Sequence, residues 1–437
     1  MSRFITDRFP FYYGWVIVGV TFVIMIVAYG IWWSFPVFYV AILDEFGWSR
    51  AETASIFTVG SVVYGIGSLV SGILVDRFGP RKLLTFAGLI LVAGCVISSI
   101  SSQIWHFLIA YGGFLGFGTI AAGYVPVAVV VSNWFVRKRG TALGFALVGT
   151  GVAPLLAVFT QHLVSTMGWR ASYTILAAVV LIIIIPLAGI FIRTRPQELG
   201  LEPDGQPRTV ETDGQKKHRR ATYSLGVVNK EWAETDWTLR RGIRTHQFWL
   251  LWGMQMTIGL GMGIIWTHQV AFAINMGYSE AVAAFIFGFC GVMAAAGRFG
   301  GFLVDRMGRE VSLTIAMVSI TGGIFALLMV SSNTQIWLLY SYAVGFGLGL
   351  GLLAPAYGTT AADLFGGGGF GSILGFANIG WGLGSGAGAW LGGAIFDRMG
   401  NYTLAIATAI IMFILVCLFG WLAGPRKVRR VIRGTQA

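Results

Sequence analysis

Acidic residues are scarce in this chain. Its 437 residues include 18 Asp and Glu, and charged residues of both signs make up only 11%. Cysteine is rarer still. Cys95, Cys290 and Cys417 fall inside apolar stretches at unrelated spacings, which supports neither a disulfide framework nor a metal site. No nucleophile stands in a recognisable relation to a base, and no metal ligands pair up along the chain. The glycine run 366–369 lacks the lysine of a phosphate-binding loop. These absences argue against an enzyme and leave no expected cofactor or metal. What remains is apolar: 56% of the residues are hydrophobic and 62 are glycine. Such a composition belongs to a polytopic membrane protein, in which small residues let helices approach closely.

Twelve apolar stretches between residues 12 and 423 are long enough to cross a bilayer, for which about 20 residues suffice. The first begins near Phe11 and has no small-residue cleavage site, so it is expected to be a retained helix rather than a signal peptide. A net charge of +12 could suggest nucleic acid, but topology explains it better. With both termini in the cytoplasm, only Arg50, Arg170 and Arg398 face outward, and Arg298 lies in the membrane. That asymmetry is the positive-inside pattern. The expectation is an all-α, multi-pass protein of the inner cell membrane with the lipid bilayer, not nucleic acid, as its surroundings, and a monomer.

The segment 193–246 is the only long polar stretch, with eleven Lys/Arg and eight Asp/Glu. It is expected to be a mobile cytoplasmic linker, with a short surface helix near 229–239. It separates a six-span bundle at 1–192 from a second at 247–424, followed by a basic tail at 425–437 that suits anionic lipid heads. The two sets repeat each other at an offset near 230. SSQIW at 101–105 answers SSNTQIW at 331–337, LGFA at 143–146 recurs at 374–377, and GILVDRFG at 72–79 recurs as GFLVDRMG at 301–308. Six spans repeated in one orientation predict pseudosymmetric halves with a binding site between them near the midplane.

Arg298 is the only charge in 281–304. An intramembrane charge costs roughly 2.5–3.5 kcal/mol on insertion scales, so it normally faces a polar cavity and has a role. The alternative is an arginine whose long stem snorkels to the interface. The repeat favours the first reading, because the equivalent position in the first half is Leu69 and the scaffold therefore needs no arginine there.

The pattern GxxxDRxG followed by basic residues occurs at Gly72, Asp76, Arg77, Gly79 and Arg81, and again at Gly301, Asp305, Arg306, Gly308 and Arg309. It resembles the signature loops of the major facilitator superfamily, between spans 2 and 3 and spans 8 and 9. Its aspartates can accept from a neighbouring helix N-terminus or an arginine, which would latch one face shut. A partial third copy, Gly393 with Asp397 and Arg398, is expected to be a simple charge pair at a helix end. FYYGW at 11–15 and NWFVRKRGTALGFALVGTGVA at 133–153 resemble the monocarboxylate transporter family and the related oxalate/formate antiporter family. That resemblance implies a secondary transporter in which Arg298 binds the substrate carboxylate. Two positions depart from the pattern. Ala294 stands where animal monocarboxylate carriers have an aspartate, and Trp381 stands about where oxalate carriers have a lysine. One cation favours a monoanion.

Tyr124 and Asn378 are further pocket candidates, since their repeat partners are Leu353 and Leu147. Tyr29, Trp33, Trp266 and Trp381 are weaker candidates. His268 is the candidate for proton coupling, because imidazole titrates near neutrality. The function expected from these residues is transport of lactate, pyruvate or formate together with a proton. The alternatives are an oxalate/formate-type exchanger and a transporter-like carboxylate receptor.

Overall fold

The computed structural model describes residues 11–135, 138–205, 225–366 and 369–431. Among these, ten helical stretches are long and apolar enough to cross a membrane. Two adjustments raise the count to twelve. The stretch Thr141–Phe191 has 51 residues, about 77 Å if straight, against a hydrocarbon core of about 30 Å. It breaks at Gly168, where φ is 79°. Both of its ends lie on one face: Trp134 Nε1 donates to the Arg193 carbonyl at 2.8 Å, and Tyr13 donates to the Phe191 carbonyl at 2.9 Å. It therefore forms spans 5 and 6. The other addition is Phe370–Met399, a helix of 30 residues whose many glycines lower its hydropathy but not its length. It is span 11.

The remaining spans are 1 (Gly14–Trp33 continued by Phe35–Phe46), 2 (Arg50–Phe78), 3 (Pro80–Ser99), 4 (Ile104–Trp134), 7 (His246–Asn275), 8 (Glu280–Arg298 continued by Gly301–Met307), 9 (Arg309–Leu328), 10 (Ile336–Phe365) and 12 (Thr403–Ala423). Spans 2 and 8 both end in DRxG. In each the glycine, Gly79 or Gly308, has a φ of 79° or 93°. That conformation is open to glycine at no steric cost, and it lets the next span start at once. Small residues set the closest helix contacts, as expected in lipid. A Cβ on Gly382 of span 11 would stand 2.9 Å from the Gly65 Cα of span 2, and one on Gly151 of span 5 would stand 2.8 Å from the Ala295 Cβ of span 8.

The linker contains short ordered elements, among them a helix within the stretch 229–239 where one was expected. Residues 206–224 lie outside the described ones, but Leu225–Val227 (β1) pairs antiparallel with Arg429–Val431 (β2) of the tail. Two short helices, Lys230–Glu234 and Leu239–Gly242, follow β1. The aromatics explain the order. Trp237 is buried, and Trp232 Nε1 donates to the Leu364 carbonyl of span 10 at 2.6 Å. Of the glycine run 366–369, residues 367 and 368 fall outside the described set, as do tail residues 432–437. The face that carries this ribbon is called the linker face below, and the opposite one the far face.

Candidate functional site: a cavity between the two sets of six spans

A cavity of about 840 Å³ lies between spans 1, 2, 4 and 5 on one side and spans 7, 8, 10 and 11 on the other. Its lining has three levels. At 1.5 Å per residue, Gln255, Arg298, Tyr357 and Asn378 each lie roughly 12–14 Å from the linker-face ends of their spans. Tyr29 and Tyr64 lie roughly 21–23 Å from those ends, and Trp33 and Trp266 roughly 29–30 Å. The first six spans reach the lowest level too, through Leu147 and Val148 of span 5.

Arg298 closes the helix Glu280–Arg298, where the partial negative charge of a helix C-terminus favours a cation. The expected single helix 281–304 is interrupted at Phe299–Gly300, and such breaks mark binding sites in carrier folds. Gly297, just before the arginine, packs against the Leu348 carbonyl and Gly351 of span 10, so a side chain there would push the helices apart. Arg298 Nη1 donates to the Leu147 carbonyl of span 5 at 2.5 Å, an oxygen that also accepts from Thr150 Oγ1 at 2.9 Å. No carboxylate pairs with Arg298 among the described residues. A guanidinium has five N–H donors, so it retains donors for a ligand.

Around it, Gln255 Nε2 donates to Asn378 Oδ1 at 3.0 Å, and the hydroxyls of Tyr29 and Tyr64 are 2.9 Å apart. The Tyr357 hydroxyl and Trp266 Nε1 are buried with no partner among the described residues. Leaving a buried donor unsatisfied costs roughly 1–3 kcal/mol, so these two atoms are suited to a ligand or water. Ala294 lines the cavity near the arginine.

The far end is shut. The Trp33 and Trp266 rings meet edge-on at 4.2 Å between centroids, and Gln161 Nε2 donates to Glu280 at 2.6 Å. The linker face is open: Thr141, Gly144 and Phe145 of the first turns of span 5 line the cavity, and Tyr124 and Phe145 are exposed.

Arg298, Tyr124, Asn378, Trp381, Tyr29 and Trp33 thus all line one cavity. His268 does not. It is buried at the far face, its Nε2 2.8 Å from the Ala389 carbonyl and its Nδ1 3.3 Å from the Tyr402 hydroxyl. A carbonyl only accepts, so Nε2 carries the proton, and both ring nitrogens are satisfied in the neutral form. Of the DR-loop residues, Gly72, Asp76, Arg77, Arg81 and Arg309 make no contact between the two sets of six spans among the described residues. Asp76 and Arg77 are exposed and Gly72 faces open space; Arg81 Nε donates to the Gly189 carbonyl at 3.0 Å. Arg306 is exposed, and the Asp305 side chain lies outside the described set. Arg309 forms a buried ion pair with Asp363 of span 10, within its own set of spans, at 2.7 Å. Gln255, Tyr64 and Tyr357 were missed. The repeat would have found them, since their partners at the same offset are Ile26, Met293 and Ala128.

Twelve spans around one cavity that opens to a single face make a carrier, not an enzyme. The profile of the Major Facilitator Superfamily matches residues 20–389, and the chain belongs to that superfamily of membrane transporters. Similar curated proteins include monocarboxylate transporter 13 of Bos taurus, 26% identical over 91% of this chain and 86% of its own length. Monocarboxylate transporter 2 of Homo sapiens is 26% identical over 84% and 76%. A crystal structure of a bacterial homologue of the human lysosomal transporter Spinster shares the fold, with a TM-score of 0.67 at 15% identity, covering 95% of this chain and 98% of that one.

Proposed function

We propose that the protein carries a small monocarboxylate of the lactate, pyruvate or formate type across the inner cell membrane, with a proton, by alternating access. The observation that carries this reading is Arg298, a cation without a carboxylate partner among the described residues, at the lowest level of a cavity between the two sets of spans. The planar guanidinium matches a carboxylate bidentately. Asn378, Gln255 and the free Tyr357 hydroxyl would take the substrate's second polar group, and the apolar walls its carbon chain. The units that rock are the bundles 1–192 and 247–424, acting as a monomer, with the linker face in the cytoplasm. Uptake of labelled acid into proteoliposomes tests this against the alternatives. A proton symporter accumulates the acid in response to a pH gradient, an oxalate/formate-type exchanger requires internal substrate, and a receptor gives no uptake.

A single cation sets the charge of the ligand. Monoanions are expected to compete for uptake, whereas dianionic oxalate and succinate are expected to inhibit at least about tenfold more weakly, since an uncompensated buried charge costs well over 1.4 kcal/mol. Strong inhibition by the dianions would contradict this. Trp381 faces the same cavity, so Trp381→Lys is the variant expected to move preference toward dianions.

The linker face must close in the opposite state, and the two DR loops sit there. Asp76→Asn and Asp305→Asn are expected to slow transport several-fold with little change in equilibrium affinity, since each removes a contact present in only one state. Lost affinity with unchanged turnover would show that these loops are not latches.

A further inference from the structure

The partial third motif copy does something other than pair charges at a helix end. Asp397, near the far end of span 11, reaches across to span 2. Its carboxylate accepts the backbone N–H groups of Arg50 at 2.9 Å and Ala51 at 2.8 Å, the first residues of the helix Arg50–Phe78. These N–H groups are among the four that a helix start leaves unpaired, and a carboxylate suits the positive end of the helix dipole. Gly393, one turn earlier, makes the approach possible, since a Cβ there would stand 2.7 Å from the Arg50 carbonyl oxygen and the Ala51 nitrogen. Arg50 is held further. Its guanidinium donates to the Tyr402 hydroxyl and, at 3.2 Å, to Asn275 Oδ1, and it lies 3.8 Å from the centre of the Phe396 ring.

Spans 2 and 11 run antiparallel and touch from Arg50 to Leu69 of span 2. Gly393 meets Arg50 and Ala51, Gly386 meets Thr58, Gly382 meets Ser61 and Gly65, and Gly375 meets Leu69. Continuing that register to the linker face brings Gly72 opposite Ser372, and the reach that Asp397 has to Arg50 and Ala51 would carry Asp76 to Gly371 and Ser372. Those residues begin the helix Phe370–Met399. The two helices thus carry the same device at opposite ends, each with Gly-x-x-x-Asp near its C-terminus aimed at the other's N-terminus. In this structure the Asp397 end is made, while Asp76 is exposed and Gly72 has open space beside it.

We infer that Gly393 and Asp397 form the far-face latch of the transport cycle, and that spans 2 and 11 act as a lever whose two aspartate caps are made alternately. Capping by Asp397 holds the far face shut and the linker face open. Its release lets the far face part as Asp76 takes up the N-terminus of span 11. This rests on the alternating-access reading but not on the identity of the substrate, and its test needs no substrate.

The test places spin labels on cysteines at the exposed far-face positions Asp44 and Thr334, with Cys417 replaced by serine; Cys95 and Cys290 are buried. Distance distributions then give the ratio of far-open to far-closed protein. Asp397→Ala is expected to raise that ratio about tenfold, the size of a typical N-cap loss, and to speed hydrogen exchange in the segment that contains Arg50 and Ala51. Asp76→Ala is expected to lower the ratio. The double variant is expected to return within about threefold of the parent, because both ends of the lever have lost a cap. A purely structural role for Asp397 would instead leave the double variant no closer to the parent than Asp397→Ala. Asp397→Asn, which keeps one acceptor, is expected to shift the ratio less and stands in if the alanine variant does not fold. An unchanged ratio in Asp397→Ala, or in Asp397→Asn if that variant stands in, or no compensation in the double variant, would overturn the inference.

Discussion

Arg298→Lys is expected to lower substrate uptake about 100-fold or more while leaving membrane insertion and folding intact. The argument is geometric. Lysine keeps the positive charge, but as a point donor on a flexible stem, and loses the planar fork that grips both carboxylate oxygens. A bidentate charge-assisted pair is worth a few kcal/mol when water is excluded, and each 1.4 kcal/mol is a factor of ten. The Leu147 carbonyl that holds Nη1 in this structure also orients the guanidinium, and a lysine ammonium bonded there would have less left to offer a ligand. Arg298→Gln removes the charge as well and is expected to lose uptake further. Near-normal uptake by both variants, in protein that is correctly folded, would remove Arg298 from the site.

The second large effect is kinetic: exchange of substrate across the membrane is expected to outpace net uptake by tenfold or more. Arg298 belongs to span 8 and its bond partner Leu147 to span 5, so the bond crosses between the two sets of spans. An empty carrier must break it to change state and then carry an uncompensated guanidinium through the occluded form. Such a charge is costly in a low-dielectric site. A bound monoanion neutralises it, so the loaded carrier turns more easily. Equal rates of exchange and net uptake would contradict this. A proton taken up with the substrate would need a carrier, and His268 is the candidate. It sits at the far-face closure, linked through Tyr402 to Arg50, so it becomes accessible when that face opens. His268→Gln is expected to impair uptake driven by a pH gradient and spare exchange. Unchanged pH-driven uptake in that variant would leave the substrate itself as the proton carrier.

Much of this architecture was legible because the bilayer leaves few solutions. Apolar stretches of spanning length, a net positive linker face and two copies of the DR loop determine twelve helices and their order. The repeat also isolated Arg298, since a charge present in one half and absent from the other is not required by the scaffold. The breaks in the spans were not legible. Span 8 stops at Arg298 because Phe299 and Gly300 leave the helical ladder, and nothing in the apolar pattern marks that point. The Leu147 bond was hidden for a related reason: it uses a backbone carbonyl, which every residue has. Asp397 looked like a helix-end charge because its partners are likewise backbone N–H groups, on a helix more than three hundred residues earlier. The pairing of β1 with β2 escaped because each strand is three residues long and lies in a polar, basic context. The ion pair of Arg309 with Asp363 was not legible either, because the buried partner lies on another span.

The central claim is that the cavity recognises the negative charge of a carboxylate through Arg298. Calorimetric titration of the purified protein with a small monocarboxylate and with its uncharged amide, which has nearly the same shape, tests it directly. The account predicts saturable binding of the acid, binding of the amide at least about tenfold weaker, and no difference between the two in Arg298→Gln. Equal binding of acid and amide by the unaltered protein, or a preference for the acid that survives in Arg298→Gln, would contradict it.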